Sequence, residues 1–296
     1  MTGVQTCALP IYYIHVYTQK KRELTETMLG VQDFYLPAFE EILAANNMPL
    51  ELKYLPVIES ALNPNAVSRA GATGIWQFMY GTGRLYKLEI NTWVDERRDP
   101  LRATYAAIAF MKDLYSIYND WVLVIAAYNC GPGNVNKAIR RSGGKRNYWD
   151  IYYHLPRETR GYVPAFIAAN YVMNYHKEHN IVPKKAEMPL LCDTIMVSEQ
   201  LHLKQVASVL QMPVETLRML NPQYRYDILP GKGKDYCLRL PYEYVNKYID
   251  LEDSILNFKD SVFFDPEIIK KTPSRYKDYV PRSEERRVGK ECRSRW

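Results

Sequence analysis

Hydrophobic spacing divides the chain in two. From Tyr12 to about Asn180 the apolar positions recur with helical period: Leu24, Met28, Val31 and Tyr35 fall at i, i+4, i+7 and i+11, one face of a helix. A second helix is predicted over about 49–61. It should stop ahead of Asn63-Pro64, because a residue before proline is steered out of helical conformations. A third covers about 102–118, with Phe110, Leu114 and Ile117 inward. The unbroken apolar stretch 121–128 is a fourth, closed by the breaker cluster Cys130-Gly-Pro-Gly133. A last long helix is expected after Gly161, with Val163, Phe166, Ile167, Asn170 and Tyr171 near its inner face.

The pattern changes at Val182-Pro183-Lys184-Lys185. Beyond it, 193–197 is a short β-branched run, 202–210 and 214–220 read as short helices, and 236–240 alternates before Pro241. That is β-α-α-β in about fifty residues, the size of a small module. The fold expected is mainly α: a helical domain over 12–182, a linker at 183–190 and a small α+β domain over 191–242. Residues 243–281 are rich in Tyr, Lys and Asp, show no core pattern, and read as an extension.

Composition removes several functions. With 47% apolar and 24% charged residues, the 296-residue chain has the makings of a packed core, so wholesale disorder is excluded. The longest apolar run is the one at 121–128, whereas a membrane helix needs roughly twenty residues. Half of the net charge of +6 lies in 282–296, and the remaining Lys and Arg are scattered among acids. Nucleic-acid binders concentrate basic residues on one element, so no such partner is expected. Residues 1–11 and 282–296 resemble translated sequencing-adapter fragments at the ends of metagenomic reading frames. They are set aside from fold reasoning and expected to make few contacts. The lack of a signal peptide in 1–11 therefore says nothing about compartment.

Between these ends lie Cys130, Cys192 and Cys237, with no Cys-x-x-Cys pair. Cys192 and Cys237 fall near opposite ends of the two predicted strands, so free thiols are expected. The five histidines form no ligand set, and neither metal nor cofactor is implied.

Glu59 closes the second helix inside Tyr54-Leu-Pro-Val-Ile-Glu-Ser-Ala-Leu62, and no Asp or Glu occurs between Ser60 and Leu88. A carboxyl among apolar neighbours has its pKa raised toward the range of a general acid; a solvated helix-face Glu is the plainer alternative. The next segment, Ser68-Arg-Ala-Gly-Ala-Thr-Gly-Ile-Trp-Gln-Phe-Met79, sets small residues before an aromatic and an amide. Ser68 and Gln77 offer hydrogen bonds and Trp76 an apolar platform suited to a sugar; the alternative is a tight loop with a core Trp.

Four stretches in order carry a resemblance: Glu59-Ser60 with Asn63-Pro64; Ser68-x-x-Gly-Ala-x-Gly-x-Trp-Gln77; Ala127-Tyr-Asn-Cys-Gly-Pro-Gly-Asn134; and Glu158-Thr-Arg-Gly-Tyr-Val163. Over about residues 20–180 the chain resembles the lytic murein transglycosylases with a goose-type-lysozyme-like fold, the membrane-bound type D members in particular. The resemblance implies Glu59 as the single catalytic acid/base and Ser68, Gln77 and Asn129 as groove residues. It also implies Tyr162 as the tyrosine facing Glu59, and Glu158 as a second acidic position. Ile75, Trp76 and Tyr80 depart from the usual Leu, Met and Pro. The implied reaction is cleavage of the N-acetylmuramic acid–N-acetylglucosamine bond of peptidoglycan to a 1,6-anhydro product, a lyase reaction. The alternatives are a muramidase that uses water and a non-catalytic wall-binding protein.

The small module resembles a LysM peptidoglycan-binding domain through Asp193-Thr194, Val206-Ala207, Leu220-Asn221-Pro222 and Leu238-Arg-Leu-Pro241, though it lacks the usual Gly-Asp-Thr-Leu start. A fragment of about 188–245 is expected to fold alone and bind peptidoglycan in a shallow groove. The resemblance further implies a monomer in the periplasm or cell envelope and is compatible with anchoring at the outer membrane.

Overall fold

The computed structural model describes residues 3–231 and 233–264. Two compact units emerge. Among the described residues, one joins the chain up to Lys87 with Pro100–Ala186; the other joins Leu88–Asp99 with residues 187–264.

The first unit is helical. α1 (Gly3–His15) runs through a wider turn, Val16–Lys20, into α2 (Arg22–Ala45), which buries Met28, Leu29, Tyr35, Phe39 and Leu43. Then come a 3-10 turn at Leu50–Tyr54, α3 (Leu55–Ser60) and α4 (Tyr80–Leu85). The longer helices α5 (Pro100–Tyr118), α6 (Trp121–Cys130), α7 (Pro132–Arg141) and α9 (Arg157–Asn174) follow, with the single turn α8 (Tyr148–Ile151) before the last. α6 is apolar almost all round and buries Leu123 through Ala127, as expected for a central helix. The Asp120 side chain caps it by accepting from the Leu123 amide at 2.9 Å, a bond of the kind contributing about 1 kcal/mol. Gly131 turns α6 into α7 with φ of 80°, a conformation that favours glycine.

Several helix expectations need correction. The second helix is split, 3-10 over Leu50–Tyr54 and α over Leu55–Ser60, because Pro56 sits in the first turn of a new helix, where its missing N–H is no loss. α7 was not foreseen, since the breaker cluster hid a helix that begins on its own proline. α9 starts four residues before Gly161. On its face Val163 and Phe166 are buried, while Ile167 and Tyr171 are exposed. On α2, Leu24 is likewise exposed.

The N-terminal stretch also differs from expectation. Gly3–His15 is a helix, and Ala8 and Leu9 line a pocket with Tyr152, Tyr153 and Arg157, so few contacts is wrong for them. They do not enter the core: Ala8 is exposed and Leu9 half-buried. Residues 265–281 and 282–296 lie outside the described residues.

The second unit is α+β. β1 (Cys192–Val197) leads to β2 (Leu201–His202), α10 (Leu203–Leu210), α11 (Val214–Leu220), β3 (Ile228–Leu229) and β4 (Tyr236–Pro241). β1 and β4 are antiparallel, Cys192 opposite Pro241 and Val197 opposite Tyr236, and β2 pairs with β3. The register sets Cys237 opposite Met196, at the other end of the ladder from Cys192, and both thiols are free. α10 opens with a capping box, Nδ1 of His202 accepting from the Lys204 amide and Oε1 of Gln205 from the His202 amide. An accepting Nδ1 requires neutral imidazole, and burial lowers the His202 pKa to about 4.

Two boundaries shift here. The segment expected as a plain extension continues as α12 (Tyr242–Asp250), α13 (Glu252–Asn257) and α14 (Asp260–Phe263), and its Tyr248 and Ile255 are fully buried in the unit's core. Residues Leu88–Asp99, expected within the helical domain, contribute Val94 to the same core. Val94 bridges to Tyr224, the Asp95 amide donates to the Gln223 carbonyl at 2.9 Å, and the Arg225 amide to the Trp93 carbonyl at 2.7 Å. A fragment of 188–245 would thus leave out Val94, Tyr248 and Ile255.

Candidate active site

Glu59 is the penultimate residue of α3. The helix ends on Ala61 and Leu62, both left-handed with φ of 54° and 60°, conformations that residues with a Cβ rarely adopt. The strain is held by tertiary bonds. Ser60 Oγ donates to the Ile75 carbonyl at 2.8 Å, tying the end of α3 to the loop that follows.

That loop is two tight turns back to back. The Gly71 amide donates to the Ser68 carbonyl and the Gln77 amide to the Gly74 carbonyl, while Thr73 and Phe78 exchange both backbone bonds. Ile75 and Trp76, at the tip of the second turn, are fully buried. Trp76 Nε1 donates to Thr104 Oγ1 at 2.8 Å, and the Trp76 carbonyl accepts from Tyr128 Oη at 2.8 Å. Each anchor is the chain neighbour of a candidate site residue: Ser60 of Glu59, Trp76 of Gln77, Tyr128 of Asn129. Trp76 is a core residue of this turn, and the sugar-platform reading is withdrawn.

Around Glu59 the groups are hydroxyls. Tyr162 Oη donates to Glu59 Oε1, joining α9 to α3. No lysine or arginine pairs with Glu59 among the described residues. Burial raises its pKa to about 7; the Tyr162 bond works against that shift, and the charge of Glu158 adds to it. Glu158 is therefore a carboxylate within electrostatic reach, which the acid-free stretch after Glu59 did not foretell. Tyr162 and Tyr128 have pKa values raised far above the usual phenol range by burial and by Glu59, so both stay protonated.

A cavity of about 520 Å³ opens beside this cluster, lined in part by Gln77, Tyr128, Asn129, Glu158 and Thr159. Of the residues singled out in the sequence, Gln77, Asn129 and Glu158 share this cavity and Glu59 and Tyr162 bond to each other. Ser68 neither lines the cavity nor bonds to Glu59, although its loop reaches the cavity wall through Ala70. The loop already uses part of their bonding capacity. Gln77 Nε2 donates to the Ala66 and Gly74 carbonyls at 3.2 and 2.9 Å, and Ser68 Oγ accepts from the Ala72 amide at 3.0 Å. Asn129 Oδ1 accepts from Thr159 Oγ1 at 2.9 Å. Gln77 Oε1, the Ser68 hydroxyl proton and Asn129 Nδ2 remain uncommitted among the described residues.

Sequence reasoning missed Tyr128 and Thr159. Both stand inside quoted motifs, next to Asn129 and Glu158, and adjacency to a candidate was the available signal. Cys130 also lines the cavity, but burial pushes its thiol up to about 11, which removes it as a nucleophile near neutrality.

The chain is similar to known proteins along both units. Residues 37–151 match the transglycosylase SLT domain family, and 192–257 match the LysM-like domain of lytic transglycosylase MltD. The chain is 35% identical over 197 residues to membrane-bound lytic murein transglycosylase D of Escherichia coli (strain K12), covering 65% of this chain and 43% of that protein. It is 29% identical over 123 residues to the soluble lytic murein transglycosylase of Escherichia coli (strain K12), 40% of this chain and 19% of that one. The solved 70 kDa soluble lytic transglycosylase SLT70 from Escherichia coli aligns with a TM-score of 0.41 and 26% identity, over 48% of this chain and 24% of that chain. The chain thus spans less than half the length of these relatives. The SLT-domain match falls mostly in the helical unit and the LysM-like match in the α+β unit.

Proposed function

We propose that this chain, with its SLT transglycosylase domain and MltD-type LysM-like domain, cleaves the N-acetylmuramic acid–N-acetylglucosamine bond of peptidoglycan without water, leaving 1,6-anhydro-N-acetylmuramic acid ends. The observation that carries this reading is the state of Glu59: a carboxyl raised to about 7, unpaired with any cation among the described residues, holding a tyrosine hydroxyl on one oxygen. Near neutral pH such a group is populated in both forms, as a single residue serving as acid and then base must be.

The chemistry follows from that one group. Protonated Glu59 gives its proton to the glycosidic oxygen as the bond to C1 breaks. The substrate's own acetamido group stabilises the positive charge at C1, as in substrate-assisted glycosidases. Ionised Glu59 then takes the proton of the C6 hydroxyl, whose oxygen attacks C1 and closes the anhydro ring. Tyr162 holds Oε1 and steadies the ionised form, leaving Oε2 to meet the substrate. Gln77 Oε1, the Ser68 hydroxyl and Asn129 Nδ2 take up sugar hydroxyl and acetamido groups. Glu158 adds negative charge beside the positive charge forming at C1.

The LysM-like unit holds the glycan strand, and the enzyme works as a monomer in the periplasm, at the outer membrane. The name of the membrane-bound relative supports the membrane placement. Mass analysis of purified sacculi digested by the protein tests the reaction. Muropeptides ending in 1,6-anhydro-N-acetylmuramic acid, lighter by one water than reducing ends, are expected. Mainly reducing ends would make it a hydrolase.

A further inference from the structure

Thr159 stands in the first turn of α9 and is buried to within 1% of full exclusion from solvent. A buried hydroxyl needs a partner. Helical threonines usually find one in their own helix, as Thr27 does at the Glu23 carbonyl and Thr104 at the Pro100 carbonyl, at 2.9 and 2.6 Å. Thr159 reaches across to α6 instead, donating to Asn129 Oδ1 at 2.9 Å. The residue four before it, Leu155, precedes the helix, and its carbonyl accepts from Arg160 Nε at 3.0 Å.

Both ends of that bond are braced. Tyr148 Oη donates to the carbonyls of Thr159 and Arg160 at 3.2 and 2.9 Å, which pins the first turn of α9. Next to Asn129, Tyr128 Oη donates to the Trp76 carbonyl at 2.8 Å. An amide side chain offers an acceptor on one side and donors on the other, so its function depends on which way it is turned. With Oδ1 taken by Thr159, Asn129 keeps Nδ2, a pure donor, for other partners. Turned over, Nδ2 would donate to Thr159 Oγ1, and the hydroxyl proton would have to turn to the neighbouring Cys130 thiol, a weak acceptor. Asn129 and Thr159 both line the cavity of about 520 Å³.

We propose that Thr159 is a positioning residue that locks the Asn129 amide in one orientation, so that Asn129 meets the substrate as a donor to its acceptor oxygens. The inference rests on the peptidoglycan reading above and adds to it the group that sets the polarity of Asn129. The complementary polarity is fixed at Gln77, whose Nε2 is held by the Ala66 and Gly74 carbonyls and whose Oε1 is left to accept. The cavity thus presents one fixed donor and one fixed acceptor before substrate arrives. An amide already turned the right way loses no rotational freedom on binding, which favours affinity. Thr159 itself needs no contact with the sugar.

The test is steady-state kinetics of the full chain on soluble, uncrosslinked strands of alternating N-acetylglucosamine and N-acetylmuramic acid. The variants are Thr159→Val, Thr159→Ser, Asn129→Ala and the double variant of Thr159→Val with Asn129→Ala. Valine keeps the shape of threonine and removes the donor. KM should rise ~5–10-fold in Thr159→Val, the size of one hydrogen bond, with a much smaller change in kcat. Thr159→Ser, which keeps the hydroxyl, should restore most of the loss. Because Thr159 acts through Asn129, Thr159→Val should add nothing to Asn129→Ala. An equal rise in KM with and without the Asn129 side chain overturns the inference, as does a fall in kcat at unchanged KM or a failure of serine to rescue. Should valine prevent folding, Thr159→Ala enters the same cycle. Products of the wild type are scored separately: reducing ends in place of anhydro ends would overturn the transglycosylase reading and leave the Thr159 result standing.

Discussion

The helical unit and the α+β unit both bury polar groups, and they treat them in opposite ways. In the α+β unit buried charges have cations or anions to meet. Asp95 and Arg97 form a salt bridge at 2.9 Å with both side chains almost wholly excluded from solvent, and Arg239 grips both oxygens of Asp99 at 3.0 and 2.9 Å. Asn221 is stitched as firmly: its Oδ1 accepts from the Arg239 amide at 2.8 Å while Nδ2 donates to the Leu217 and Arg239 carbonyls. In the helical unit, Glu59 has no cation to meet among the described residues, accepts from the Tyr162 hydroxyl, and its pKa rises to about 7. A paired charge fixes shape. An unpaired carboxyl in dense surroundings keeps a proton that can move, which is what acid/base work needs.

The largest expected effect breaks the helical side of this contrast. Glu59→Gln keeps size and the acceptor for Tyr162 but can neither give nor take a proton, so turnover on sacculi should fall by ~10²–10⁴ with the circular dichroism spectrum unchanged. Wild-type turnover in the variant would sink the assignment. On the other side, Asp95→Ala removes the carboxylate that bonds Arg97 where both side chains are almost wholly excluded from solvent. Loss of one partner from a buried pair costs about 3–5 kcal/mol, seen as a lower urea midpoint. An unchanged midpoint would show that the pair is not what holds Leu88–Asp99 in place.

Tyr162→Phe should sharpen the contrast. Its hydroxyl favours ionised Glu59, so removing it should move the Glu59 pKa further above 7. The base-dependent limb of the pH–rate profile should shift to higher pH, and turnover at neutral pH should drop about tenfold, the size of a hydrogen bond to a charged group. A profile that merely scales down without shifting contradicts this.

The same carboxyl also links stability to pH. A carboxyl with a folded pKa near 7 and an unfolded one near 4.5 binds its proton more tightly when folded. Its contribution favours the folded state below about pH 4.5 and is lost as pH rises through 7. Relative to wild type, Glu59→Gln should therefore gain thermal stability between pH 4 and pH 8. A pH-independent difference between the two would mean that Glu59 is solvated.

Much of this was legible in the residues. Strands at 193–197 and 236–240 and helices at 202–210 and 214–220 recur as β1, β4, α10 and α11 within a residue or two, because local period and breakers define such short elements. Glu59, Gln77, Asn129, Glu158 and Tyr162 were visible as motif members. The commitments of their side chains were not, because the bonds of Gln77 to Ala66 and of Asn129 to Thr159 depend on a folded turn and on a helix thirty residues away. Trp76 was misread for the same reason: only its partner Thr104, on α5, reveals it as core. Tyr248 and Ile255 went unseen because two buried positions among Lys, Asp and Tyr leave too weak a period.

The placement of Leu88–Asp99 in the α+β unit also bears on modular inheritance. Among the described residues the chain passes from one unit to the other at 87/88, 99/100 and 186/187, where a bead-on-a-string arrangement has one crossing. A recombination event at the single interdomain linker would separate Val94 from the core it completes and Asp99 from Arg239. A chimera that exchanges the α+β module must therefore carry the strip Leu88–Asp99 with it.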